Sequence, residues 1–151
     1  MGVQKEVFTF KKQIGVGNVG ENLFLKTYAG STKSTDLKYD FTYKGKKVEL
    51  KTDTYPMEKT SNFFMEQYGS IEDKKLGGPW RASQDEVDYF VYLYLADKKF
   101  FWFETKSLVK FLDECVKDLR GKSVWNRGYT TFGFAVPRAL VDDLIIKRDQ
   151  A

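Results

Sequence analysis

Residues 39–53 read YDFTYKGKKVELKTD. Gly45 sits between two runs rich in aromatic and β-branched residues, which predicts a tight hairpin with strands over residues 38–43 and 46–52. Side chains on a strand alternate between faces, so Glu49, Lys51 and Asp53 share one face and Val48 and Leu50 take the other. With Lys44-Gly45 as the turn, Asp40 lies opposite Glu49. With Gly45-Lys46 it lies opposite Lys51. Both registers put Asp40 on the face of Glu49 and Lys51. Directly opposed residues sit about 4.5–5.5 Å apart at Cβ, where two carboxylates repel unless something positive lies between them. The face is therefore either a solvated charge ladder or a metal site with a lysine beside it.

Bulk composition narrows that choice. The 151 residues suit one domain spanning 1–151 with a buried core. Hydrophobic residues make up 42% and charged residues 30%, the profile of a soluble globular chain. The longest apolar run, near residues 89–96, is too short to cross a bilayer, and MGVQKEVFTFKK lacks an apolar signal core. A cytoplasmic location and no membrane partner are the expectations. Histidine is absent, which excludes Ser-His-Asp and Cys-His mechanisms. The usual His-containing zinc sites go too, and a lone cysteine excludes an all-cysteine one. Cys115 also excludes an intrachain disulfide and, with no histidine to activate it, reads as a packed helix residue. What remains for hydrolysis is carboxylates, lysine and a hard, oxygen-seeking metal such as Mg2+. A net charge of +4 and a pI near 9.0 are consistent with a nucleic-acid partner.

Working outward from the hairpin, residues 18–28 read as a helix with Asn18 as N-cap, Glu21 three residues on and Gly30 closing it. Residues 3–14 are helix or strand. A strand is expected over 61–67, then a charged, Gly-rich loop over 72–79. A second hairpin covers 88–96 and 100–104. Residues 107–119 form an amphipathic helix capped by Ser107. A last strand over 132–136 precedes a C-terminal helix opened by Pro137. The order predicts an α/β (α+β) chain with one central mixed sheet and helices against it.

Asp40, followed nine residues on by Glu49-Leu50-Lys51, resembles the PD-(D/E)XK nuclease superfamily of restriction enzymes, junction resolvases, homing endonucleases and phage nucleases. The resemblance implies a restriction-endonuclease-like sheet and a DNA endonuclease. Asp40 and Glu49 would bind Mg2+, one or two ions per site with Mn2+ as a substitute, and the Leu50 carbonyl would be a further ligand. Lys51 would position the attacking water or stabilise the phosphate. Glu21, on the preceding helix, would complete the site. Double-stranded DNA is the implied partner, and cutting both strands takes two sites, hence a homodimer or a higher symmetric oligomer. Tyr39 stands where the family has proline. Asp36 is the runner-up acid: it shares the parity of Asp40 but lies about 13 Å earlier along an extended strand at ~3.3 Å per residue.

Other stretches have two readings each. In GGPWRAS (77–83), Arg81 contacts phosphate and Trp80 a sugar or base, or the stretch is a surface turn with Trp80 tucked into the core. Arg127, in WNRGYTT (125–131), is a similar candidate for the substrate. Lys44, Lys46 and Lys47 hold phosphate at the hairpin tip or simply keep the turn solvated. Asn62 and Glu66 fall on one face of the 61–67 strand, as supporting residues or ordinary edge polar groups. GVGNVG (15–20) matches G-x-G-x-x-G, but FKKQI is a poor buried strand and a hairpin follows it, so it reads as a flexible turn and helix start rather than a dinucleotide site.

Overall fold

The computed structural model describes residues 2–151, with side chains from residue 15 onward. In chain order the elements are α1 (Gly2–Thr27), β1 (Thr32–Lys33), β2 (Phe41–Tyr43), β3 (Lys46–Asp53), β4 (Asn62–Ser70), β5 (Lys75–Leu76) and α2 (Gly78–Gln84). There follow β6 (Tyr89–Tyr94), β7 (Lys99–Glu104), α3 (Thr105–Cys115), β8 (Arg120–Trp125), β9 (Thr130–Pro137) and β10 (Ile145–Gln150).

The expected hairpin is β2–β3. Lys44 and Gly45 both have positive φ, 51° and 75°, the conformation of the two-residue turns whose twist matches antiparallel strands. That turn pairs Phe41 with Val48 and Thr42 with Lys47, and Asp40, just before β2, donates its N–H to Val48 O beside Glu49.

Two sheets form where one was expected. The first has six strands in the order β1-β2-β3-β6-β7-β10 and is mixed: β3 and β6 run parallel, the other neighbours antiparallel. A parallel pair needs a long crossover, and residues 54–88 supply it with β4, β5 and α2. Those strands join β9 and β8 in a second, antiparallel sheet ordered β5-β4-β9-β8.

Both faces of the six-stranded sheet are covered. Phe24 of α1 and Tyr28, just past its end, pack on Phe41, Val48, Val91 and Trp102, with the Phe24 and Phe41 rings stacked 4.3 Å apart. On the opposite face Phe90, Tyr92, Phe101 and Phe103 meet Phe63, Met65 and Val136 of the second sheet. A strand buried on both faces reads as a continuous apolar run, which is why YFVYLY shows no alternation. Gly20 lets α1 lie on β3: a Cβ there would sit 2.1 Å from Thr52 Oγ1.

Several sequence expectations need correction. Asn18 is not an N-cap, because α1 runs unbroken through GVGNVG, and a helix interior has no phosphate-binding turn. Residues 78–84 are helical, with Pro79 in the first turn, rather than the end of the 72–79 loop and a surface turn over 77–83. Helix α3 starts at Thr105 with Glu104 as N-cap, and Ser107 Oγ donates to Glu104 Oε1 at 3.0 Å. Pro137 opens a 3-10 stretch over Arg138–Leu144 rather than an α-helix, and the chain then forms edge strand β10. Among the described residues no helix is long and apolar enough to cross a membrane.

Candidate functional site

Strand β3 presents Val48 and Leu50 to α1, and Glu49 and Lys51 to the other face. Its parallel register on β6 sets Glu49 beside Phe90 and Lys51 beside Tyr92. On that face a cleft of about 180 Å³ opens, lined by Glu49, Leu50, Lys51 and Phe90, with Phe64 and Glu66 from β4 and Gly78 and Arg81 from α2.

Asp40 adjoins the cleft through two backbone ties. Its N–H donates to Val48 O at 3.0 Å, and its Oδ2 accepts from the Leu50 N–H at 2.8 Å. Held there, its carboxyl is close enough to that of Glu49 to raise the Glu49 pKa through a hydrogen bond and its charge. Two carboxyls can share such a bond only with a proton between them. Burial is the largest cause that raises the Glu49 pKa, followed by the hydrogen bond and charge of Asp40; Arg81 opposes them and Asp85 adds to them. The result is a Glu49 carboxyl pushed up to about 9, neutral at physiological pH in the protein alone.

Glu66 is the second perturbed acid. Burial raises its pKa and the Lys51 ammonium opposes the rise; Lys51 and both acids, Glu49 and Glu66, line the same cleft. Arg81 reaches the same cleft from α2, its Nη2 donating to Leu37 O at 2.8 Å and its Nε 3.5 Å from Asp85.

The structure does not bring every expected residue to this place. Glu21 belongs to α1, across the sheet, and pairs with Lys33 at 3.2 Å; it does not line the cleft. Asp36 closes a local turn, its Oδ1 accepting from the Lys38 N–H at 2.9 Å, so the aspartate beside Glu49 is Asp40. Asp53 accepts from the Tyr92 hydroxyl and from the Tyr55 N–H instead of facing the cleft. Trp80 is tucked into the core, its indole N–H donating to Asp113 at 2.8 Å, which removes the sugar- or base-contact reading.

The remaining candidates lie elsewhere on the surface. Lys44 stands over the Tyr43 ring and Lys47 over the Tyr39 ring at the hairpin tip. Lys46 lines a separate cleft with Asp88 and Glu104. Arg127 sits in the β8–β9 turn with φ 38°. Asn62 serves through its backbone, its carbonyl accepting from the Tyr94 hydroxyl at 2.6 Å, whereas Glu66 does line the cleft. Phe90 went unassigned to the site because only the β3–β6 pairing makes it a neighbour of Glu49, and a parallel register leaves no local signal.

Among the described residues no group of three or more His, Cys, Asp or Glu side chains is placed to hold a metal. The donor set is the Asp40–Glu49 pair. Mg2+ is commonly held by one or two carboxylates, its remaining positions going to water and substrate phosphate, so the pair fits that ion, which would replace the shared proton. No protein-family model matches the chain, and no curated protein or solved structure matches it either.

Proposed function

We propose that the protein is a Mg2+-dependent DNA endonuclease of the PD-(D/E)XK type, with a restriction-endonuclease-like fold, acting on duplex DNA in a sequence- or structure-specific way. The observation that supports this most is the pairing of Asp40 with Glu49 beside one hairpin, Glu49 lying two residues from Lys51 and lining a cleft that also receives Arg81. Two acids forced together beside cations are poorly explained by folding alone, since the arrangement leaves Glu49 buried and protonated.

In this reading Asp40, Glu49 and the Leu50 carbonyl hold Mg2+. The bound ion supplies an acidified water and neutralises charge on the attacked phosphate. The chain's own groups do the rest. Lys51 is a compact ammonium that hydrogen-bonds the phosphate or the attacking water. Arg81 offers a planar fork to phosphate oxygens. Glu66 lines the same cleft, and its charge favours the Lys51 ammonium there. Each protomer has one such cleft, so cutting both strands calls for a homodimer or a higher symmetric oligomer.

A non-catalytic nucleic-acid-binding module is the second reading, favoured by the pairing of Glu21 with Lys33 and by the two-carboxylate donor set. The two separate on a panel of supercoiled plasmid, linear duplex and four-way junction, incubated with Mg2+ or EDTA. The nuclease reading expects Mg2+-dependent cleavage lost in Glu49→Gln. Binding of the panel by both proteins with no cleavage by either favours the module.

A further inference from the structure

Register aligns residues across a sheet as well as along its strands. In the second sheet Glu66 pairs with Gly133, and Gly133 with Lys122. Phe64 pairs with Ala135, and Ala135 with Arg120. Directly paired residues project to the same face, so Arg120 and Lys122 share the face of Phe64 and Glu66, the two β4 residues that line the cleft. With strands ~4.8 Å apart, the two cations stand about 10 Å beyond the cleft wall. Between them β9 offers only Ala135 and Gly133, and the Phe64 ring lies on Gly133, where a Cβ would be 2.6 Å from Phe64 Cζ. The floor from the cleft to the cations is therefore low.

All six residues of β8 are exposed. Among the described residues neither Arg120 nor Lys122 is drawn into an ion pair. A strand that buries no side chain and aims two cations along the cleft face complements a repeating polyanion. We infer that Arg120 and Lys122 of β8 hold backbone phosphates of the nucleic acid next to the one in the cleft. The inference rests on the nuclease reading for the substrate's chemistry.

The test is fluorescence anisotropy of a labelled duplex with the full chain in Ca2+, across salt from about 50 to 200 mM. Each phosphate contact contributes about 0.9 to the slope of log affinity against log salt, so R120A/K122A lowers that slope by about 1.8. It also weakens binding on the order of tenfold at moderate salt. The control R120-sparing variant K110A/K117A, on α3 and the 3-10 turn that follows it, keeps the wild-type slope. Since β8 buries no side chain, the double variant keeps the wild-type melting curve. A wild-type slope in R120A/K122A overturns the inference, and if that variant changes only the self-association of the chain, β8 faces a second copy instead. Wild-type protein that binds with the expected slope loss in the variant yet cuts nothing in Mg2+ upholds the phosphate row and sinks the nuclease reading. Wild-type protein that does not bind sinks both.

Discussion

The Leu50 N–H donates to Asp40 Oδ2 at 2.8 Å, and this bond fixes the aspartate against Glu49. Leu50 is itself anchored with the apolar cluster under α1, so the core on one face of β3 positions the acid pair on the other. Asp40→Ala frees the Leu50 N–H and removes the Glu49 partner together. Asp40→Asn keeps an oxygen for that N–H, so the two variants separate positioning from charge: both lose cleavage, and Asp40→Ala alone also loses stability, by about 1–3 kcal/mol for the orphaned donor. Denaturant melts of the two variants check this.

Glu49 ties stability to pH. Its pKa rises from 4.5 in the unfolded chain to about 9 in the fold, so between those values the native state holds a proton that the unfolded state has lost. The contribution is full below 4.5 and disappears as pH rises toward 9. Glu49→Gln, which keeps the neutral shape, should melt like wild type near pH 4 and be more stable at pH 8, by on the order of 1–3 kcal/mol. Equal pH profiles for the two proteins would remove the buried proton from the account.

Metal binding follows from the same proton. Mg2+ on the Asp40–Glu49 pair has to displace it, so affinity should increase from pH 6 to pH 9 and binding should release close to one proton at pH 7. Calorimetry in two buffers of different ionisation enthalpy reads that release. Asp40→Asn and Glu49→Gln should abolish the Mg2+ heat. Glu21→Gln should leave it intact, since Glu21 pairs with Lys33 on the other side of the sheet.

The packing of α1 on β3 rests on a missing side chain. Gly20→Ala places a methyl 2.1 Å from Thr52 Oγ1, and such overpacking costs about 1–3 kcal/mol. Thr52→Ala in the same chain should recover part of the loss. A double-mutant cycle measures the coupling, and strict additivity would mean that α1 does not sit on β3 as described.

How much of this was legible depends on the range of the interactions. The acid face of β3 could be read because two-residue periodicity and a Lys-Gly tip are local signals. The run over residues 89–94 reads as sheet centre because burial on both faces leaves a continuous apolar stretch. The second sheet was hidden: β4 pairs with β9, Phe64 with Ala135, across a separation no local pattern encodes. Strand β8 shows no hydrophobic period because nothing on it is buried. Three glycines at 15, 17 and 20 read as a turn, yet they lie inside α1; at Gly20 the close approach to Thr52 of β3 requires the missing side chain and offsets its poor helix propensity. Within the site, Asp40, Glu49, Lys51, Glu66 and Arg81 were all candidates, whereas Trp80 and Glu21 were drawn away by partners at a distance, Asp113 and Lys33.

The most direct measurement is single-turnover cleavage of a responsive DNA by wild type and Lys51→Ala in Mg2+, with DNA binding followed in parallel. Loss of one positioned cation from the transition state costs about 10²–10³ in rate, so Lys51→Ala should bind DNA as wild type does and cut it at least a hundredfold more slowly, on that scale. Equal cleavage rates for the two proteins would contradict the account.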